Sequence, residues 1–277
     1  MEFTRHMTVL RRLIALRTKA KGNMGLHTQS IAMQKEIEKQ EVNLPWWNGH
    51  YLLSRFNKVR VPFIRDGIHE IGIENKTSIV DKTRLDGVKI LDVGCGGGIL
   101  CEELARLGAD VHGLDIDSEA IDEAKQHQLL DDSIKENLKY INDSIYEHER
   151  DYFEKYDAVV ISEVIEHIPN EEKEKFLSSS INTLQPGGSL FVTCPNRTLS
   201  SRIIVIFLAE LFDIIPKGTH YYDEFIAPEN LIKMIQKNKC EIKTVEGIFY
   251  NPFRKDFAIS PNRSLFYGVH AIKNRAE

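Results

Sequence analysis

The chain has 277 residues, of which 42% are hydrophobic and 28% are charged, as expected for a globular protein with one sizeable domain and additions. Its formal net charge of −5 argues against a nucleic-acid partner, because nucleic-acid-binding proteins normally carry a strong basic excess. The four cysteines form no C-x-x-C pair, which is typical of reduced thiols in a reducing compartment.

Residues 1–30 differ in charge from the rest of the chain. They carry six Lys and Arg residues and a single acidic residue, Glu2. An Arg-rich, acid-poor N-terminus is typical of a mitochondrial transit peptide, and a disordered basic tail is the alternative. Arg11 and Arg12 interrupt the apolar stretch at 9–16, which argues against a secretory signal. No run approaches the roughly 18–20 apolar residues of a transmembrane helix.

Residues 31–87 are predicted to form a helical cap that serves as a lid over the substrate. The pattern at 31–41 indicates a charged amphipathic helix, which ends at a segment containing a Trp-Trp pair. Residues 60–73 are predicted to form a further helix that packs before the main sheet.

From residue 88 onwards, strand and helix patterns alternate. Strands are predicted at 88–93, 110–114, 138–141, 157–162, 189–194, 240–248 and 265–272. Helices are predicted at 99–107, from Ser118 as N-cap, and at 171–184, 198–216 and 228–237. This alternation predicts an α/β fold with a doubly wound, seven-stranded, mostly parallel sheet and an N-terminal helical extension.

The first predicted strand runs into a glycine-rich turn at residues 94–98, here called the glycine loop. Because glycine has no Cβ, such a loop lets backbone N–H groups approach a cofactor closely. A dinucleotide site requires G-x-G-x-x-G or G-x-G-x-x-A. In the two possible registers Ile99 and Cys101 occupy the third glycine position. The loop therefore argues against an NAD-dependent oxidoreductase and favours S-adenosylmethionine (SAM), which has no pyrophosphate.

An acidic residue, Asp115, ends the second predicted strand, 21 residues after Gly94. A carboxylate at that edge of the sheet can accept hydrogen bonds from both ribose hydroxyls of a nucleoside cofactor. Asp92 is expected to tie down the backbone of the glycine loop. Asp143 and Ser144, at the end of the third strand, are weaker candidates for contacts with adenine. A glycine-rich turn without a ligand is the alternative.

Three chemically active side chains, Glu163, Glu166 and His167, follow the fourth predicted strand. If this segment is helical, they are spaced i, i+3 and i+4 and face the same side. Two carboxylates suit Mg²⁺, and the imidazole keeps Zn²⁺ or Mn²⁺ open. The alternative is an acidic pair that stabilises a helix start, with His167 as an ordinary surface residue. The pattern alone leaves both open.

Residues 203–215 form a markedly apolar stretch with two acidic residues. The stretch is too short to span a bilayer. A lid over an apolar substrate or a helix at a membrane surface is favoured over a core helix, because so apolar an additional helix needs an apolar neighbour.

The sequence LDVGCGGGILCEELARLGADVHGLDID at 91–117 resembles class I SAM-dependent methyltransferases. SEVIEH, NPF, PKGTH and the WW…RVPFI stretch resemble, more narrowly, the ubiquinone biosynthesis O-methyltransferase family in its mitochondrial form. The resemblance runs from about residue 31 to residue 273. It implies an enzyme that methylates catechol hydroxyls of polyprenylated ubiquinone precursors, namely a polyprenyl dihydroxybenzoate and demethylubiquinol.

The resemblance also assigns roles to individual residues. It implies SAM contacts at Arg60, Gly94, Asp115 and Ser162. It implies Mg²⁺ ligands at Glu163, Glu166 and His167, with Glu166 and His167 as catalytic residues. A metal that chelates both catechol oxygens would stabilise the oxyanion and align it with the sulfonium methyl. Direct proton removal by His167 as a general base is the alternative.

At the level of the whole chain, the resemblance implies a SAM-binding methyltransferase domain at 88–277, with a membrane- and substrate-associating insertion at 196–220. It implies a peripheral protein on the matrix side of the mitochondrial inner membrane, within a multi-subunit ubiquinone biosynthesis complex. One departure is the segment 48–57, which is shorter than in the family and has Ser54 near the family's histidine, so the shape of the lid is open. A methyltransferase of a soluble small molecule and a non-catalytic assembly subunit are the alternatives.

Overall fold

The computed structural model describes Leu44, Trp46, Trp47, Ser201 and residues 51–72, 81–198, 224–251 and 254–275. All of them belong to one compact unit, Leu44–Glu277. The predicted transit peptide at 1–30, the predicted helix at 31–41 and the apolar stretch at 203–215 lie outside the described residues, and these predictions stand as predictions.

The described residues form six helices and eight strands. The helices are α1 Tyr51–Ile71, α2 Ile99–Arg106, α3 Ser118–Gln128, α4 Ile145–Asp151, α5 Lys173–Thr183 and α6 Pro228–Lys237. The strands are β1 Lys89–Val93, β2 Asp110–Asp115, β3 Leu138–Asn142, β4 Tyr156–Ser162, β5 Leu184–Pro195, β6 Cys240–Asn251, β7 Asp256–Ser260 and β8 Phe266–Lys273. Single 3₁₀ turns lie at Asp132–Ile134 and Ile165–His167. No described helix is long and apolar enough to cross a membrane.

The strands form one sheet in the order β3-β2-β1-β4-β5-β8-β6-β7. The five strands from β3 to β5 pair in parallel, whereas β8, β6 and β7 pair antiparallel to their neighbours. The predicted doubly wound α/β fold is confirmed. The order reverses direction between β1 and β4, where ligands bind in open α/β sheets.

Each face of the sheet has its own hydrophobic core, because successive strand residues point to opposite faces. Leu91 of β1 and Val159 of β4 pack in one core with residues of α5 and α6. Ile90 and Val160 pack in the other core with residues of α1, α2 and α3. Helices therefore cover both faces, which explains the nearly continuous apolar runs of the central strands.

The sheet has eight strands and not the predicted seven. Three local predictions were also wrong. The additional strand β7 lies in a segment predicted as a loop, because this edge strand exposes Ala258 and Ile259 and lacks an apolar run. Helix α1 begins at Tyr51 and carries Pro62 inside it, although proline usually marks a helix start. The N-cap of α3 is Asp117 rather than Ser118, since the Asp117 carboxylate accepts from the backbone N–H of Glu119 at 2.9 Å.

Candidate active site

The glycine loop is held in shape by the neighbouring strand β2. Gly94 and Gly96 have φ values of +77° and +52°, in the left-handed region that favours glycine. The backbone N–H of Gly94 donates to the carbonyl of Leu114 at 2.7 Å. The N–H of Gly96 donates to Asp115 Oδ2 at 2.7 Å. The loop and the acidic residue that sequence analysis paired are therefore in direct contact.

Asp92 does not tie down the loop backbone as predicted. Its carboxylate accepts a hydrogen bond from Cys101 Sγ at 3.1 Å, at the start of α2. Burial raises the pKa of Asp92 to about 6, although the hydrogen bond from Cys101 and the charge of Arg60 act in the opposite direction. Asp92 thus contributes a buried, readily protonated group below the loop.

The end of β2 offers a polar and an apolar group side by side. Both oxygens of Asp115 accept backbone hydrogen bonds, and each oxygen has a second lone pair left for a ligand. The next residue, Ile116, is 78% exposed. Ser144 caps α4 by accepting from Glu147 N at 3.2 Å. Ile116 was not among the predicted site residues; its signal in the sequence is an apolar residue just beyond the end of a strand.

Arg60 connects α1 to the carboxyl end of β4. Its Nη1 donates to Ser162 Oγ at 2.9 Å, so the structure joins two of the predicted cofactor residues. Its Nη2 donates to Asn57 Oδ1, and Asn57 Nδ2 donates to the carbonyl of Ile99 at the start of α2. Sequence analysis did not identify Asn57, because its role depends on the contact between α1 and α2.

Glu163 and Glu166 lie in a strained turn after β4. Glu163 has a φ of +58°, and its N–H still donates to the carbonyl of Thr193 in β5 at 2.9 Å. A left-handed residue other than glycine costs roughly 1–3 kcal/mol, and such residues concentrate at functional sites. Glu166 follows in the 3₁₀ turn Ile165–His167 and is buried.

Three buried side-chain atoms among the described residues have no hydrogen-bond partner: Arg60 Nε, Glu163 Oε1 and Glu166 Oε2. An unsatisfied buried polar atom in a folded protein requires an explanation, and a missing ligand is one. All three atoms belong to residues that sequence analysis assigned to the site. Their clustering in one region therefore indicates a polar ligand site between α1 and the end of β4.

Both carboxyl groups have raised pKa values. Burial raises the pKa of Glu163 to about 7, and the charge of Arg60 limits the rise. Burial raises the pKa of Glu166 well above its ordinary value, and the negative charge of Glu163 raises it further. Burial lowers the pKa of Arg60, against the charges of Glu163 and Asp92. The pair therefore tends to share one proton near neutral pH.

Comparison with known proteins decides the family. A family model described as a methyltransferase domain matches residues 56–242. The rat protein "Ubiquinone biosynthesis O-methyltransferase, mitochondrial" is 38% identical over 255 residues, which are 90% of this chain and 72% of the rat protein. The chain belongs to the ubiquinone biosynthesis O-methyltransferase family. A bacterial relative from Proteus mirabilis (strain HI4320) is 34% identical over 86% of this chain and 91% of its own length.

The resemblance seen in the motifs is thus confirmed, and the chain is a SAM-dependent O-methyltransferase of this family. It covers 62% of the length of the human relative, "Ubiquinone biosynthesis O-methyltransferase, mitochondrial", at 40% identity. Solved structures support the fold. Magnesium protoporphyrin IX methyltransferase from Synechocystis PCC 6803 with bound SAH aligns with a TM-score of 0.53 over 91% of this chain and 90% of that chain, at 19% identity.

The described residues do not show the predicted three-residue metal site. In the part of the chain that the structure describes, no group of three His, Cys, Asp or Glu residues is arranged to hold a metal ion. Glu163 lies outside the 3₁₀ turn, and in such a turn His167 is rotated by about 120° from Glu166. His167 is exposed, and desolvation followed by the charge of Lys173 lowers its pKa. The predicted common helical face at 163–167 was therefore wrong.

The Glu163–Glu166 pair nevertheless fits a divalent cation. Each carboxyl group keeps one buried oxygen without a partner, and hard oxygen ligands suit Mg²⁺. A cation would replace the proton that the pair shares and would relieve the repulsion between the two negative charges.

Proposed function

We propose that this enzyme transfers the methyl group of SAM to a catechol hydroxyl of a polyprenylated ubiquinone precursor. The observation that carries the proposal is the group of unsatisfied buried atoms on Arg60, Glu163 and Glu166 at the carboxyl end of β4. This region lies beside the glycine loop, since a Cβ on Gly94 would collide with the side chain of Val164. The two adjacent hydroxyls of a catechol match a site with two hydrogen-bond acceptors, on Glu163 and Glu166, and one donor, on Arg60.

The protein has two tasks in this reaction. The sulfonium of SAM already makes its methyl group electrophilic, so the protein must position the hydroxyl oxygen and remove its proton. In the absence of a bound cation, Glu163 accepts that proton, because a base with a pKa of about 7 is half ionised near neutral pH. The proton leaves as the oxygen–methyl bond forms and the bond from sulfur to methyl breaks. Arg60 stabilises the negative charge that develops on the substrate oxygen as its proton leaves.

The cofactor is held from three sides in this proposal. Asp115 accepts the ribose hydroxyls on its remaining lone pairs, the glycine loop lies along the methionine end, and Arg60 with Ser162 closes the side towards β4. Glu163 and Glu166 would hold Mg²⁺, which when bound supplies positive charge that stabilises the catecholate. The resemblance adds His167 as a third ligand.

We also propose a mitochondrial location and peripheral attachment to the inner membrane on the matrix side. Mitochondrial relatives and the basic residues 1–30 support the location. The residues flanking 202–223 are firmly anchored: Thr198 Oγ1 donates to the carbonyl of Ser264, and Lys173 Nζ donates to Glu224 Oε2 at 3.0 Å. The apolar composition of residues 203–215 suits a lipid surface and an isoprenoid tail. A multi-subunit ubiquinone biosynthesis complex belongs to the same proposal.

The decisive experiment uses the purified chain, labelled SAM and a short-chain polyprenyl dihydroxybenzoate, with and without Mg²⁺. We expect methyl transfer to one hydroxyl, reduced by a chelator and nearly abolished by Glu163→Gln. Glu147→Gln, an exposed surface control, should leave the rate unchanged. No transfer to this substrate with Mg²⁺ present would overturn the substrate assignment. Binding to anionic vesicles, lost on deletion of 203–215, tests the membrane proposal separately.

A further inference from the structure

We propose that Trp46 and Trp47 form a clamp that holds the glycine loop in its cofactor-binding shape. The first observation is the position of Trp46. A Cβ on Gly96 would stand 2.6 Å from the Trp46 ring, and a Cβ on Gly97 would collide with the same side chain. The absence of side chains at these two glycines therefore makes room for an indole. This proposal rests on SAM binding at the glycine loop and not on the identity of the methyl acceptor.

Trp47 contacts the same loop through its polar edge. Its Nε1–H donates to the carbonyl of Gly97 at 3.0 Å. Its ring lies parallel to the imidazole of His127, with 3.3 Å between ring centroids and 3° between planes. The apolar face of the Trp47 indole thus stacks on His127, and its single donor binds the glycine loop. A tryptophan contributes most to a contact when both its ring face and its N–H group have partners. The clamp fixes a carbonyl of the loop as well as its surface.

Side chains of α2 and α3 hold the clamp. The backbone N–H of Trp46 donates to Glu123 Oε1 at 2.6 Å. His127 Nδ1 lies 2.7 Å from Oε1 of Glu102, which is fully buried. The other oxygen of Glu102 accepts from Arg106 at 2.7 Å. The clamp is therefore anchored on the two helices that follow β1 and β2, the strands whose ends form the cofactor site.

Hydrogen bonds thus hold the glycine loop on two sides. Asp115 holds the N–H of Gly96, and Trp47 holds the carbonyl of Gly97. Neither tryptophan is among the residues proposed to act on the reacting hydroxyl. Both are therefore positioning residues. Loss of the clamp should weaken binding of SAM and of S-adenosylhomocysteine (SAH). It should leave the rate at saturating SAM nearly unchanged, because the loop is then held by the cofactor itself.

The chain offers a direct reporter, because Trp46 and Trp47 are its only two tryptophans. Tryptophan emission therefore reports the clamp alone. We expect SAH to change the intensity or wavelength of emission in the wild-type chain. His127→Leu removes the stacked partner and keeps both indoles, so it should diminish this change. Phe249→Leu, at an exposed position on β6, serves as the matched control.

The experiment measures SAH affinity by calorimetry and emission, and the KM for SAM and kcat by methyl transfer. Trp47→Leu and His127→Leu should raise the Kd for SAH and the KM for SAM about tenfold, the loss expected for one hydrogen bond or one stacked pair. The kcat should change less than about twofold. Trp47→Phe keeps the stack without the Nε1–H donor, should give a smaller effect, and serves as the folded variant if Trp47→Leu does not fold.

Unchanged SAH affinity in folded His127→Leu and Trp47→Phe chains overturns the clamp. Wild-type emission that does not respond to bound SAH also overturns it. A wild-type chain that binds no SAH overturns both the clamp and the proposed function. Weaker SAH binding in the variants, together with no methyl transfer to a catechol by the wild type, supports the clamp and overturns only the proposed substrate.

Discussion

Arg60 Nη1 donates a hydrogen bond to Ser162 Oγ at 2.9 Å and so ties α1 to the end of β4. The positive charge of Arg60 also lowers the pKa of Glu163 against the effect of burial. Arg60→Gln should therefore raise the KM for SAM about tenfold, by loss of a charged hydrogen bond. It should also move the acid limb of the pH–rate profile to higher pH. Arg65→Gln, which removes a charge paired with exposed Asp66 on the same helix, should do neither.

Glu163 makes folding stability depend on pH with a definite sign. Its pKa is about 7 in the folded chain and 4.5 in the absence of burial, so the folded state binds the proton more tightly. The stability from this group is fully present below pH 4.5 and is lost as the pH rises through about 7. Glu163→Gln should therefore reduce the decline in unfolding free energy between pH 5 and pH 8, by about 2–3 kcal/mol.

Urea denaturation at several pH values, with a chelator present, measures this effect. Glu147→Gln is the matched control, because Glu147 is exposed and pairs with Arg150 on the surface. Its stability curve should run parallel to that of the wild type. Parallel curves for Glu163→Gln as well would contradict the raised pKa of Glu163.

The parallel half of the sheet was predictable because its strands are buried on both faces and appear as continuous apolar runs. The acidic residue that ends β2 was predictable for a related reason, since the ends of parallel strands meet at one edge. The turn at Glu163 was not, because its left-handed backbone is set by a hydrogen bond to Thr193 in another strand. The contacts of Asn57 and Trp46 likewise join segments far apart in sequence, and no local pattern encodes them.

Two buried histidines, His112 in β2 and His148 in α4, share the hydroxyl of Tyr156 at the start of β4. His112 Nδ1 and His148 Nε2 each lie 2.8 Å from the Tyr156 hydroxyl. Burial lowers the pKa of His112 to about 4 and also lowers that of His148. Because the folded state favours neutral His112, its stabilising contribution is present above pH 6.5 and is lost as the pH falls towards 4.

His112→Gln should therefore flatten the loss of stability between pH 6.5 and pH 4.5, by about 2 kcal/mol, because glutamine does not titrate. His270→Gln should likewise flatten the loss of stability as the pH falls, since burial lowers the pKa of His270 to about 4 as well. Urea unfolding at pH 4.5, 5.5 and 6.5 is the measurement. A steeper loss in either variant than in the wild type would contradict the prediction.

Ile116 is expected to pack against a flat apolar part of the cofactor. It is 78% exposed although it directly follows Asp115, the proposed ribose ligand. Ile116→Ser should weaken SAH binding about tenfold, because a buried apolar contact of this size is worth about 1.5 kcal/mol. Its exposure means that the melting temperature of the chain without cofactor should not fall. Leu129→Ser, at an exposed position at the end of α3, should leave SAH affinity unchanged in the same calorimetric titration.

Glu166 and His167 are adjacent in sequence but differ in exposure. This difference distinguishes a metal site on the two carboxylates alone from one that also includes His167. Glu166 is buried with an unpartnered oxygen, whereas His167 is exposed. Glu166→Gln should raise the Mg²⁺ concentration needed for half-maximal methyl transfer by about 100-fold, the loss expected for a carboxylate ligand. His167→Gln should change it less than about threefold, because the proposed site holds the cation on the two carboxylates. A loss as large in His167→Gln as in Glu166→Gln would show that the imidazole moves inward to complete a three-residue site.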